Sequence, residues 1–468
     1  MLDRDLVAEV LTAARAGGAE WAELFVEDTL STSIGLLLGA VKDVGGGNSY
    51  GAGLRLLYGT KVVYGYTNDT SRAGLLEVAS ALAKSQGVAG SRSTAGQTDA
   101  AGAGGLDFRR QDVAWLYAVR DHPASTAKRQ KLEIARRAHA AAQLGQVKTT
   151  DVTYADVTQR VLIANTDGDW AEDERVRSRL MVRAIAEDGT NRADGFAGPG
   201  ASMGLEFFDG TLPEEAGAEA ARLANAMLHA GYVPAGKMPV VIGNGFGGVI
   251  FHEACGHILE TTSVAKNASV FADKLGQSIA GSCVSAVDDG TIPGAWGSVN
   301  IDDEGLPAER TLLIDKGVLT SFMVDKVGEM QTGYRRTGSG RRQNYTYAPA
   351  SRMRNTFILE GEDTPESLIS QVPFGLYART MGGGSVTPGT GDYNFTVLEG
   401  YVIRNGQVCE PVRGAALVGN GARDLMNITG VAGDLARGQG MCGSVSGSIP
   451  TDVGQPHILI SGITVGGR

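Results

Sequence analysis

Glycine sets the texture of this chain. Sixty-seven of its 468 residues are glycine, about twice the ordinary ~7 % share, and many fall in pairs or triplets between short alternating apolar runs. Such punctuation suits strands joined by tight turns and confines helices to the stretches that lack it. Residues 2–16 form one such stretch, with Leu2, Leu6, Val10, Leu11 and Ala14 on a helical stripe that Gly17-Gly18 ends. Runs at 33–38, 53–58 and 61–66 then read as strands, with turns expected at Gly45-Gly46-Gly47-Asn48 and Gly59-Thr60. A helix is expected over 71–86. Residues 87–105 are nearly all Gly, Ala, Ser and Thr, a composition that buries too little surface to offset ordering, so a flexible connection is expected there. Helical composition over 125–144 and 213–230 brackets alternating runs between 147 and 186, where Asn165-Thr166-Asp167-Gly168 suits a strand connector. Beyond 231 the strand-and-turn texture persists almost throughout, apart from a short helix expected over 247–260. The fold class expected is α+β in two parts. An α/β half (1–231, with a subdivision near 87–105) packs helices on mostly antiparallel strands, and a β-rich half (232–468) carries the chemistry.

Charge and apolar runs narrow the function classes. Lys and Arg number 42 against 52 Asp and Glu, a net charge of −10, which argues against a surface built to neutralise nucleic-acid phosphates. No apolar run approaches the ~20 residues of a membrane helix, and the first residues lack the basic and apolar regions of a signal peptide. The expectation is a cytoplasmic protein with neither nucleic acid nor membrane as partner. Four cysteines, Cys255, Cys283, Cys409 and Cys442, make no disulfide framework in so long a chain, which leaves free thiols or metal ligands.

The densest chemical signal is His252-Glu253-Ala254-Cys255-Gly256-His257, an H-E-x-x-x-H pattern. Zinc peptidases with H-E-x-x-H place both histidines on one helix face. One extra residue leaves the two imidazoles ~140° apart on a regular helix, so the helix must bend, bulge or end at Gly256 if they are to share a metal. Glu253 then suits a general base on water acidified by the metal. A catalytic zinc needs a third protein ligand, for which Cys255, Cys283, Cys409, Cys442, His457 and Glu260 are candidates. Cys255 lies inside the motif and points elsewhere, whereas Cys283 and Cys409 stand in strand-like apolar surroundings that suit buried, inert thiols. Cys442 differs, because Gly438-Gln439-Gly440-Met441-Cys442-Gly443 reads as a glycine-rich loop able to approach a metal closely.

Competing readings are weaker. Gly243-Asn244-Gly245-Phe246-Gly247-Gly248 matches G-x-G-x-x-G, but without a clear βαβ unit, and better suits a strand turning closely into a helix. A Cys-His hydrolase on Cys255 or Cys442 lacks an identifiable orienting residue. Asp288-Asp289 and Asp302-Asp303-Glu304 lack the regular spacing of a calcium loop and read as turn-forming carboxylates. His457 reads as structural. Arg341 and Arg342 beside Tyr345 are candidate contacts to a peptide substrate.

Taken together, the segments 252–260, 287–291, 301–305, 338–342, 352–356, 382–386, 411–415, 417–421, 441–443, 453–456 and 463–467 resemble the TldD/PmbA metallopeptidase family, densely over 237–468 and more loosely before it. The metal-bearing pattern is similar to the TldD-type subunit. The resemblance implies one zinc per chain held by His252, His257 and Cys442, with Glu253 as the acid/base group. It also implies hydrolysis of unfolded peptides or peptide precursors, and a TldE/PmbA-like subunit as heterodimer partner or a homodimer in its place. The alternative it leaves is a non-catalytic binding or assembly subunit. Two departures from the family pattern, Gln343-Asn344 and Thr261-Thr262, bear on substrate preference and partner.

Overall fold

The computed structural model describes residues 2–85, 106–387 and 389–467, so the connection expected at 87–105 lies outside the described residues. The architecture is α+β, with helices and strands in the first half and a β-rich second half that includes a closed barrel.

The first half is built on an eight-stranded sheet whose long members are Trp21–Leu37, Ala40–Tyr58, Val147–Asn165 and Asp169–Glu187. Alternation divides its residues between two faces. On one face, Leu24, Val26, Leu54 and Leu56 meet Val7, Val10, Leu11, Leu75 and Ala79 of the helices Arg4–Arg15 and Arg72–Ser85. Val152, Tyr154, Leu180 and Val182 meet the helices Lys128–Ala141 and Leu212–Met227 in the same way. The opposite face carries Phe25, Val161, Ile163 and Ala171, which pack with Ile301 of the second half.

One expected turn falls elsewhere. Gly45, Gly46 and Gly47 lie within the strand Ala40–Tyr58, paired with Ser33, Thr32 and Ser31, and the reversal occurs at Leu38-Gly39. Both turn residues have positive φ, 53° and 78°, as a two-residue hairpin turn matching the right-handed twist of its strands requires. Long pairing on both sides supplies the backbone bonds that keep the glycines extended, which composition alone does not reveal.

In the second half, the strands Gly236–Ile242, Phe374–Thr387, Asp392–Arg404, Ala416–Asn420 and Ile458–Gly466 close on one another as a barrel, with Gly236–Ile242 parallel to Phe374–Thr387 and the other pairs antiparallel. A separate six-stranded sheet ends in the hairpin Ala436–Ser444 and Gly447–Gln455, with Ala436–Ser444 as its edge strand. Between barrel and sheet lies one large apolar core, which encloses Val249, Ile250, Phe251 and Ala254 of a buried helix.

Beside the apolar contact with Ile301, the seam between the halves carries buried charge. Arg55 pairs with Glu23 at 2.7 Å and with Glu304 at 2.8 Å, all three without solvent exposure at their side chains. Arg342 also reaches Glu23, and Arg175 bridges Asp303 at 2.6 Å and Asp173 at 3.1 Å. The Asp302-Asp303-Glu304 run is therefore both a turn and an ion-pair hub.

Candidate metal centre

The strand Gly236–Ile242 leads into the buried helix through glycines that leave no room for side chains. A Cβ on Gly243 would lie 2.2 Å from the Arg379 carbonyl oxygen, and one on Gly248 would lie 2.4 Å from the Gly454 backbone. The α-helix Val249–Ala254 ends at Cys255, whose φ of −130° leaves the helical region, and a 3-10 turn, Gly256–Leu259, follows. This break answers the five-residue spacing, since His252 lies in the helix's last turn and His257 rides the new one. A Cβ on Gly256 would sit 2.1 Å from Met353 Sδ, so a side chain at the junction would force Met353 to move.

The third donor arrives from the edge strand. His252 Nε2 and His257 Nε2 each lie 3.2 Å from Cys442 Sγ, all three residues are buried, and their donor atoms fall within 4.8 Å of one another. Cys442 thus occupies a strand, not the expected loop. Its neighbours Gly438 and Gly440 still leave that face of the strand bare. Burial opposes ionisation of the Cys442 thiol, but the two imidazoles outweigh it and bring the thiol down to about 3. Burial likewise opposes charge on His257, yet Glu260 and Cys442 raise it well above the ordinary histidine value.

The surroundings orient the donors. Glu260 Oε2 lies 3.2 Å from His257 Nδ1, as expected for residues three apart on a 3-10 turn, where i and i+3 eclipse. Accepting the Nδ1 proton leaves the Nε2 lone pair directed at the cluster. Arg352, fully buried, donates to the Cys442 carbonyl and, at 2.9 Å, to Ser446 Oγ, while its Nε lies 3.8 Å from Glu260. Gln343 accepts a bond from the Ser448 amide at 2.7 Å and so fastens the hairpin behind Cys442. Thr261 donates to Asp325 at 3.0 Å, and Thr262 to the Ser351 carbonyl at 3.3 Å. Both departures from the family pattern therefore hold elements around the cluster.

Glu253 sits with one carboxylate oxygen 3.8 Å from His257 Nε2, and burial pushes its pKa up, against the pull of the two histidines. The donor set suits a borderline-soft metal, since two imidazoles and a thiolate converge.

The remaining candidates lie apart from this cluster. Cys255 is fully buried and burial pushes its thiol up. Cys283 and Cys409 are exposed, which corrects the expectation of buried thiols: Cys283 lies in a turn, and Cys409 lies on a strand end where Gln407, Val408 and Glu410 are exposed as well. His457 sits 2.7 Å from Asp434 and 2.9 Å from the Tyr377 hydroxyl. Arg341 donates to the Met353 and Pro450 carbonyls, both at 2.8 Å. Arg342 stacks on Phe25, with 4.1 Å to the ring centroid, and Tyr345 donates its amide to Glu27 at 2.8 Å. Arg342 and Tyr345 are thus engaged across the seam, and Arg341 by backbone carbonyls of the second half. Sequence reasoning gave Arg352 no role and counted Glu260 only as a possible ligand; the available signal was a glutamate three residues after a histidine that a 3-10 turn would bring alongside.

Fold and cluster together define a protein with a buried His-His-Cys cluster, able to hold a metal, between a barrel and a sheet. Three family models for PmbA/TldA metallopeptidases match the chain, domain 1 over residues 22–85, the central domain over 121–228 and the C-terminal domain over 235–467. A metalloprotease TldD homolog of Haemophilus influenzae is 35 % identical over 457 residues, 96 % of this chain and 93 % of that one. A metalloprotease of Methanothermobacter thermautotrophicus is 30 % identical over 466 residues, covering 100 % and 99 %. The crystal structure of TldE from Thermococcus kodakarensis shares the fold, with a TM-score of 0.75 at 15 % identity over 98 % of this chain and 99 % of that one. The chain belongs to the PmbA/TldD metallopeptidase family. Among its described residues no helix is long and apolar enough to cross a membrane.

Proposed function

We propose that this chain is a zinc-dependent peptidase that hydrolyses unfolded peptides or peptide precursors, with zinc held by His252, His257 and Cys442 and with Glu253 as general base. The observation that carries this reading is the convergence of three ligating atoms within 4.8 Å, with a carboxylate 3.8 Å from one of them. Zinc suits two imidazoles and a thiolate, and three protein ligands are the number found at catalytic rather than structural sites. When bound, it supplies Lewis acidity toward a scissile carbonyl and lowers the pKa of water.

The chain's own groups do the rest. Glu253 takes a proton from the attacking water and returns it to the leaving amine, and its raised pKa makes it the stronger base for the first transfer. Glu260 fixes the His257 ring, and Arg352 fixes the Cys442 backbone. The edge strand Ala436–Ser444 can receive a peptide as an added strand, because Met441 faces Pro450, which has no N–H, and so directs its own amide away from the hairpin. A TldE-like subunit is the partner we propose, with a homodimer as the substitute, and four free cysteines fit a cytoplasmic setting.

Elemental analysis of purified protein, with hydrolysis of an unfolded peptide measured with and without a co-expressed TldE-like subunit, tests the reading. Glu253→Gln is expected to keep its zinc and to lose hydrolysis by roughly 10²–10⁴-fold. Hydrolysis undiminished in that variant removes Glu253 from the mechanism. A zinc-loaded chain that cuts nothing in either preparation is instead the binding subunit.

A further inference from the structure

We infer that an apolar cavity beside the metal centre is a side-chain subsite, and that it selects peptides carrying a bulky apolar residue such as Leu, Met or Phe next to the cleaved bond. This inference rests on the peptidase reading and adds a substrate class to it. The cavity has a volume of about 480 Å3, within the ~300–1,000 Å3 usual for ligand sites. Phe196, Phe246, Met381, Leu398 and Met441 line it. Three of these are large apolar side chains left open to solvent, Phe196 at 45 %, Leu398 at 41 % and Met441 at 52 %, an arrangement that marks a binding surface when such groups converge on one hollow.

Position ties the cavity to the chemistry. One wall is the edge strand itself, from Gly438 to Met441, immediately before the ligand Cys442. Gly438 and Gly440 share Cys442's face of that strand, and Phe246 fills against Gly438, where a Cβ would come within 2.8 Å of the Phe246 Cβ. Phe246 stands just ahead of the helix that carries His252. The cavity therefore touches the strand that carries Cys442 and the turn that leads into the helix of His252. Gly245 bridges this edge at Arg437 and Arg179 takes the Gln439 carbonyl, so a peptide would add along the part from Met441 onward, where alternate side chains on opposite faces would place one of them in this hollow.

The first half of the chain completes the site. Phe196 and Pro199 come from it, as does Arg179, which donates to the Gln439 carbonyl at 3.1 Å and lies over the Trp296 ring. Arg179 is the one charged residue of the lining, so a Lys or Arg side chain meets both an apolar wall and a like charge.

The test uses the full chain with its TldE-like subunit and a fluorescence-quenched Ala/Ser hexapeptide in which Leu, Phe, Lys or Asp replaces each position in turn. Leu and Phe at one position adjoining the scissile bond are expected to raise kcat/KM about tenfold or more over Ser, with Lys lowest. In Leu398→Ser and Phe196→Ser, checked for retained metal, that ratio is expected to fall about tenfold. Direct binding of the labelled Leu and Ser peptides to the Glu253→Gln protein, read by anisotropy, is expected to show the same preference. Cleavage without preference at any position overturns the subsite while the peptidase reading stands. Failure of all cleavage, with Leu peptides still bound selectively and Leu398→Ser abolishing the selectivity, overturns the peptidase reading and keeps the subsite. Neither cleavage nor selective binding overturns both.

Discussion

The metal cluster and the seam between the halves are both made of buried titratable side chains, yet they satisfy them in opposite ways. In the seam every carboxylate oxygen has a donor: Glu23 takes Arg55 and Arg342, Glu304 takes Arg55 and the Lys326 amide, Asp303 takes Arg175 and the Arg342 amide, and Asp302 takes the Glu304 and Gly340 amides. At the cluster, two imidazole nitrogens and a sulfur from separate elements converge within 4.8 Å of one another. Paired charge holds two bodies in register, whereas convergent nitrogen and sulfur donors suit a cation. Titratable density alone does not identify a site; convergence of ligating atoms does.

Removing a donor from the cluster tests this contrast most severely. Cys442→Ser replaces a thiolate with a weak ligand, and zinc is expected to fall from about one per chain to near zero while the circular dichroism spectrum is kept. Retention of stoichiometric zinc would reassign the third ligand. In the seam the corresponding change, Glu23→Gln, leaves Arg55 and Arg342 short of a buried counter-charge. It is expected to cost about 3–5 kcal/mol, read as a lower urea midpoint, with zinc per folded chain unchanged. Zinc lost in proportion to stability would merge the two regions into one unit.

Glu260→Gln distinguishes orientation from ligation. If Glu260 only holds His257 Nδ1, zinc affinity drops roughly 10–100-fold in a competition titration with a chromophoric chelator. A drop as complete as that of Cys442→Ser would make Glu260 a ligand.

How much of this could be read in the sequence follows from range. The His252-Glu253 pair, the need for a break before His257 and the special context of Cys442 are local, and the helix and strand textures are periodic, so all were legible. The seam was not, because Arg55 and Glu304 stand 249 residues apart and only the fold brings them together. The hairpin turn at Leu38-Gly39 was hidden for a related reason: its residues sit inside an apolar run, and pairing with Val147–Asn165 decides where the strand reverses. Cys283 and Cys409 show the limit of reading burial from neighbours, since Cys283 falls in a turn and Val408 beside Cys409 is itself exposed. Arg352 was quoted only as part of a motif, because its partners, Cys442 and Ser446, lie about ninety positions away.

Glu399 offers the smallest effect and a check that matched charge behaves as charge. It is buried in the barrel wall and accepts from Arg222, Arg379, Thr380 and Tyr401. Burial alone would raise its pKa, but these donors, Arg222 foremost, hold it near 2, below the ordinary 4.5. Between those values the unfolded chain binds the extra proton, so the stabilisation is complete above about pH 4.5 and is lost as the pH falls toward 2. With Arg222 and Arg379 partly exposed to screening solvent, the contribution is about 1–2 kcal/mol. The gap in urea midpoint between the parent and Glu399→Gln is therefore expected to be widest at about pH 6, to narrow below pH 4.5 and to close only as the pH approaches 2. A gap constant with pH would mean that Glu399 acts through hydrogen-bond geometry that glutamine cannot copy, and the seam's carboxylates would then have to be reconsidered as geometric rather than electrostatic fasteners.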